Sequence, residues 1–196
     1  MNFDLVHDIQ GVYRKVLKGM ATPGKIQRLD EGAKVDLEVD SYKSTFLLML
    51  MLLDGEVTFN VVSKNTKEIS SMISQITYSQ VKEIEEADYV FILEDSTNDD
   101  LAKVYKNAKL GDLVNPNKSS TIIAEVTSIE YGNEIELRGP GIKECNMISI
   151  NIKGNWIEER AERNIEYPIG IDGIFIDKVG NLIGLPRTTQ VKRKVE

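Results

Sequence analysis

The amino-acid sequence predicts a single α/β domain on a mixed β-sheet, and three observations carry that expectation. Strand-length apolar runs alternate with segments of helical periodicity along the whole chain. No long Pro/Gly/Ser stretch, internal repeat or low-complexity segment divides it. The chain has 196 residues, 41% hydrophobic and 28% charged, which is enough apolar material for one self-sufficient core and too much for a disordered chain. Residues 1–196 are therefore expected to form one domain, with a basic tail from about 192 to 196.

The elements follow in order. Leu5, Ile9, Val12, Tyr13, Val16, Leu17 and Met20 recur at three- and four-residue steps and predict a helix with one apolar face. Asn2 or Asp4 is a candidate cap, and Thr22-Pro23-Gly24 ends the helix because proline cannot continue the hydrogen-bond ladder. Ser41 to Leu53 is apolar almost all round and reads as a buried helix closed by Asp54-Gly55. Val57, Phe59 and Val61 alternate as in a strand. Thr66 to Tyr78 has helical spacing, and Tyr89 to Leu93 is a continuous apolar run, the pattern of a strand covered on both faces. Asn98 to Ala108 reads as a helix. Thr121–Ile129 and Glu134–Leu137 read as a strand pair around Gly132-Asn133. Trp156 to Asn164 reads as a charged surface helix, and Ile171–Ile176 with Leu182–Leu185 as a hairpin turned at Val179-Gly180-Asn181.

Counting closes off several chemistries. With 24 Lys+Arg against 31 Asp+Glu the formal charge is −7, the wrong sign for a protein whose main partner is nucleic acid. The one cysteine, Cys145, permits no internal disulfide and no Cys-rich metal site, and it reads as packed. The one histidine, His7, reads as a surface helix residue and leaves no His cluster for a transition metal. No secretory signal is visible, and the longest apolar run, Phe46 to Leu53, is far too short to span a bilayer. The expectation is a cytoplasmic protein with no cofactor, no metal and no membrane partner. The acidic stretch Glu83 to Asp88 is read as facing solvent.

Four segments are not explained by propensity alone. Met20-Ala-Thr-Pro-Gly24 is either a plain helix stop or, with Arg14 two turns upstream, part of a pocket. Arg138-Gly139-Pro140-Gly141 follows a strand. It is either a structural turn or a place where amides approach an anion with Arg138 beside it, although it lacks the G-x-G-x-x-G spacing of a dinucleotide site. In Tyr167-Pro-Ile-Gly-Ile-Asp172 the carboxylate of Asp172 sits among isoleucines, so it needs an arginine or backbone partner, structural or functional. In Leu185-Pro-Arg-Thr-Thr189, Arg187 is a guanidinium fork suited to a phosphate or carboxylate, with the hydroxyls of Thr188 and Thr189 as further donors; the alternative is an edge strand whose Arg187 pairs with an acidic neighbour.

Taken in order, Tyr13-Arg14, Met20-x-x-Pro23-Gly24, Leu52-Leu53-Asp54, Arg138-Gly-Pro-Gly-Ile142, Pro168-Ile-Gly-Ile-Asp172 and Leu185-Pro-Arg-Thr-Thr189 make the chain resemble the PhnH family, the H subunits of the bacterial carbon–phosphorus lyase system, from about residue 3 to 191. Gly111 and Pro116 fit the same pattern. Asn117 stands where a glutamate is expected, Gly19 where alanine is common, and Gln190 where a histidine can occur. The resemblance implies a three-layer α/β/α sandwich similar to the large domain of fold-type I PLP-dependent transferases, without the Schiff-base lysine. It also implies a homodimer, and assembly with subunits G, I and J. With G, I and the ATPase-like L subunit, such a protein is needed to displace adenine from ATP by an alkylphosphonate, with the nucleosidase chemistry assigned to subunit I. A phosphonate or nucleotide ligand would meet Arg187, Thr188 and Thr189, with Arg138 and the Gly139–Gly141 turn beside them and Asp172 orienting an arginine. Two other readings stay open: a self-sufficient nucleotide- or PLP-type transferase, and a ligand-free scaffold.

Overall fold

A computed structural model describes residues 5–29, 41–97, 99–152 and 154–194. The expected caps Asn2 and Asp4, the side chain of His7, the start of the fourth predicted helix at Asn98, and the end of the basic tail lie outside the described residues. The chain runs α1 (Leu5–Ala21), β1 (Gln27–Arg28), α2 (Lys43–Leu52), β2 (Thr58–Val62), α3 (Thr66–Thr77), β3 (Gln80–Val81), β4 (Tyr89–Ile92), α4 (Asp100–Asn107), β5 (Thr121–Val126), β6 (Asn133–Arg138), β7 (Asn146–Ile150), α5 (Trp156–Arg163), β8 (Asp172–Asp177), β9 (Asn181–Leu185) and β10 (Gln190–Arg193).

A seven-stranded mixed sheet has the order β1-β9-β8-β5-β4-β2-β3. Strands β3, β2, β4, β5 and β8 are parallel, while β9 is antiparallel to β8 and β1 to β9. The central strands are apolar on successive residues because both faces are covered. Phe91, Leu93, Ile123, Ile174 and Ile176 enter one core with α1, α2 and α3. Val90, Ile92, Ile122, Ala124 and Phe175 enter the other with α4 and α5. That second core is closed by a smaller antiparallel sheet of order β10-β6-β7, which contributes Ile135, Leu137, Ile148, Ile150 and Val191.

The structure corrects several expectations. Thr121–Ile129 and Glu134–Leu137 are not a pair: β5 lies between β4 and β8, whereas β6 pairs with β7 and β10. Helix α5 is not a plain surface helix, since Trp156, Ile157 and Arg160 are buried. On α1, Val12 and Val16 enter the core but Tyr13 and Leu17 are half exposed. Cys145 is exposed instead of packed. Lys192 and Arg193, read as the start of a tail, are strand residues of β10. Asp88 does not simply face solvent: its carboxylate takes hydrogen bonds from Thr58 and from Lys109 at 2.6 Å.

Candidate functional site

Strand β8 begins at Asp172, β5 begins just after Ser119-Ser120, and antiparallel β9 ends at Leu185. Three segments marked in the sequence therefore meet at the amino-terminal edge of the parallel strands. Arg187 is their common point. Its backbone N–H donates to Asp172 Oδ1 at 2.7 Å, and its Nε and Nη2 donate to the Asp172 carboxylate, Nη2 to Oδ2 at 2.6 Å. Nη1 reaches the carbonyls of Pro116 (2.8 Å) and Pro168 (3.2 Å), and Nη2 also donates to Ser119 Oγ at 2.6 Å. A guanidinium has five N–H donors, and these contacts engage every one. The two side chains are only 18% and 20% exposed. Asp172 orients an arginine, as the sequence reading expects, but an oxyanion gripped by Arg187 would have to displace one of these partners.

Beside this knot lies a cleft of about 850 Å³ between the end of α5, the loop after it and residues 186–192. Thr188, Thr189 and Pro140 line it, so the Pro-Arg-Thr-Thr segment and the Gly-Pro-Gly turn are brought together. The turn owes its fit to its glycines. Gly139 and Gly141 both have positive φ, and a Cβ on either would stand 2.8 Å from Thr188 O or 2.7 Å from Ala21 O. Arg138 turns away: it is exposed and bonded to Glu136, its neighbour two residues back on β6. Arg14 is exposed on α1 and does not line the cleft.

The residue that sequence reasoning missed is Arg160. It is 2% exposed and donates through Nη1 to Thr189 O (2.8 Å) and through Nη2 to Pro186 O (2.7 Å) and Leu185 O (3.2 Å). It thus holds the backbone on either side of Arg187 by its carbonyls. Among the described residues no carboxylate lies within ion-pair distance of it, and its Nε finds no acceptor. Burial lowers its pKa, against the opposing influence of Tyr105 and Asp172. Thr189 is equally buried, and its hydroxyl also has no partner. The available signal was Trp156-Ile157-x-x-Arg160, one turn of helix that places all three inward once Trp156 is buried.

The opposite, carboxyl-terminal edge of the parallel strands is where open α/β sheets usually take ligands. Here a smaller cleft of about 280 Å³ carries Glu94 and Glu125. Burial pushes the Glu125 carboxyl up, although hydrogen bonds from the amides of Tyr42 and Glu94, with the Thr45 side chain nearby, oppose it. This edge is acidic, the wrong sign for a phosphate or phosphonate. Among the described residues no three His, Cys, Asp or Glu converge as a metal-ligand set, and no helix is long and apolar enough to cross a membrane.

A mixed-sheet α/β domain with an arginine-knotted edge and an adjacent cleft defines the class of protein in structural terms. Comparison of sequences places it more closely. Residues 2–192 match the family model of the bacterial phosphonate metabolism protein PhnH, and the chain belongs to that family. It is 25% identical to a protein of Stutzerimonas stutzeri named putative C-P lyase subunit protein HtxG, over 94% of this chain and 86% of the relative. It is 28% identical to the α-D-ribose 1-methylphosphonate 5-triphosphate synthase subunit PhnH of Rhizobium meliloti, over 97% of this chain and 94% of the relative.

Proposed function

We propose that this chain is an accessory subunit of a carbon–phosphorus lyase assembly, required with G-, I- and L-type partners for coupling an alkylphosphonate to the ribose triphosphate of ATP with release of adenine. Its near-full-length similarity to two proteins that carry "subunit" in their names supports the assembly role. The observation that carries the accessory role is the saturated Arg187 fork. The strongest ionic group of the Pro-Arg-Thr-Thr segment is bonded wholly within the chain, so it shapes a surface and leaves no donor for a reacting group. A cytoplasmic homodimer when alone, and a likeness to fold-type I PLP-dependent transferases, belong to the same proposal. The parallel run β3-β2-β4-β5-β8 with helices on both faces supports that likeness.

The test is co-expression of the tagged chain with the G, I and J subunits of its own organism, followed by purification and mass determination by light scattering. A stoichiometric complex is expected. A chain that purifies alone, with all three partners expressed and soluble, would overturn the assembly role.

A further inference from the structure

Strand edges present unpaired backbone N–H and C=O groups, and folded chains blunt them with short strands, charge or a covering element. Among the described residues the two sheets have four edges, and three of them are blunted. Strands β1 and β3 are two residues long. Strand β10 carries Lys192 and Arg193, and it is tied to α5 by Arg160, which binds Thr189 O, and by the Arg193 side chain, which reaches Gly154 O. The fourth edge, β7, has none of these devices. It runs five residues, Asn146–Ile150, has β6 on one side only, and keeps a continuous register without a bulge. From Cys145 to Ile152 no residue is charged and none is proline, in a chain that is 28% charged.

The register decides which backbone groups of β7 are free. Lys194, one residue beyond β10, donates its N–H to Glu134 O at 3.1 Å, so Glu134, Glu136 and Arg138 turn their backbone groups toward β10. Ile135 and Leu137 then bond β7 through Ile148 and Asn146, and Met147 and Ser149 point their N–H and C=O groups away from β6. Among the described residues neither finds a backbone partner on that side. Asn151, on the same side, donates its N–H to Ser128 O at 3.0 Å, so the chain covers that end of the edge itself and leaves the Met147 end open. Met147 is 47% exposed, and Cys145 beside it is exposed too.

We propose that the open edge of β7 pairs with β7 of a second copy of this chain, antiparallel about a two-fold axis at Met147, so that the two small sheets join into one of six strands. The observation that selects a second copy is the missing charge. A two-fold axis at a strand edge sets each side chain against its own kind or a near neighbour, so a charged edge repels itself and an uncharged one does not. In this pairing the two Met147 side chains meet across the axis and their N–H and C=O groups bond each other, clear of the end that Ser128 covers. The inference rests on the homodimer reading given above and adds where the two copies meet. It is independent of assembly with other subunits.

The test is the mass of the full-length chain by light scattering over a range of concentrations, with amide hydrogen exchange of β7 alongside. A dimer of the 22.1 kDa chain is expected, with the Met147 and Ser149 amides protected in it. Met147→Lys sets like charges against each other across the axis and should raise the dissociation constant at least about tenfold, with the far-ultraviolet circular dichroism unchanged. Met147→Pro should do the same, because the N–H it removes bonds nothing within the chain and the ladder to β6 survives. A chain that is monomeric at every concentration overturns the homodimer reading and this interface together. A dimer that keeps its affinity in both variants, or whose Met147 and Ser149 amides exchange as fast as in the monomer, overturns the interface alone.

Discussion

Removing the Arg187 guanidinium would leave Asp172 facing a cavity at the start of β8 and unpin Pro116, Pro168 and Ser119 at once. Breaking a largely buried pair by deleting one partner costs about 3 kcal/mol or more. Arg187→Ala is therefore expected to lower the unfolding midpoint in denaturant sharply, and Arg187→Lys to recover little, because an ammonium cannot span four acceptors. An arginine that served only to meet a ligand would instead leave the midpoint unchanged in Arg187→Ala, and that result would overturn the structural role. Asp88 makes a different residue-scale prediction. Burial raises its pKa, but hydrogen bonds from Lys109 and from the side chain and amide of Thr58 prevail and hold it below the usual aspartate value. A depressed folded-state pKa gives stability that is full above the unfolded value, about 3.9, and is lost as pH falls through the folded one. Lys109→Met should thus cost about 0.5–1 kcal/mol at neutral pH for a pair this exposed, and the gap from wild type should close below about pH 4. A gap constant from neutral to strongly acid pH would show that the ion pair is not its source.

Among the elements, α1 and β9 approach most closely at two glycines that respond oppositely to substitution. A Cβ on Gly184 would stand 2.8 Å from the backbone of Gly19 and Met20, which cannot move without shifting the helix. A Cβ on Gly19 would meet chiefly the tip of Leu182 at 3.0 Å, a side chain that can turn aside. Gly184→Ala is expected to destabilise by about 2 kcal/mol or more through overpacking. Gly19→Ala should be neutral, or stabilising by up to about 1 kcal/mol, because alanine is the better helix former. Thermal unfolding of the two variants side by side checks this, and equal losses would mean that the helix–strand distance is not the constraint. The second core depends on α5 in the same physical way. Trp156 packs on Phe175 at 5.1 Å between ring centroids and near Tyr105 at 6.3 Å, which turns Arg160 inward beneath the 185–189 segment.

For the whole molecule, the two clefts at opposite edges of the sheet differ in charge: Glu94 and Glu125 line the one at the carboxyl-terminal edge, while Arg160, Arg187 and Lys192 line the other, which no Asp or Glu lines. An accessory subunit should show no turnover when incubated alone with ATP and methylphosphonate, and activity should appear only with its partners. Chromatographic detection of free adenine measures both, and release by the isolated chain would overturn the accessory role. The exposed Leu113 and Val114, on a loop tied to the Pro168 loop through Arg187, belong to the same edge as Ile165 and Tyr167.

How much of this was legible beforehand divides by the range of the interaction. Periodicity and punctuation determined the helices, the doubly covered strand Tyr89–Leu93, and the hairpin of Ile171–Ile176 with Leu182–Leu185 turned at Val179–Asn181, because each is set by neighbours within a few residues. The ordered motifs were enough to point to the family, and the need of Asp172 for a partner followed from burial alone. Only the tertiary structure decided that Glu134–Leu137 leaves the main sheet, since a strand's partner is chosen by distant chain, here β7 and β10. Only it decided that Arg187 is spent on Asp172, Pro116, Pro168 and Ser119, contacts reaching back as far as Pro116. The inward turn of Arg160 came the same way. Its charge reads as solvated in a helix rich in Glu and Arg, and it is buried because Trp156 and the 185–189 backbone leave it nowhere else to go.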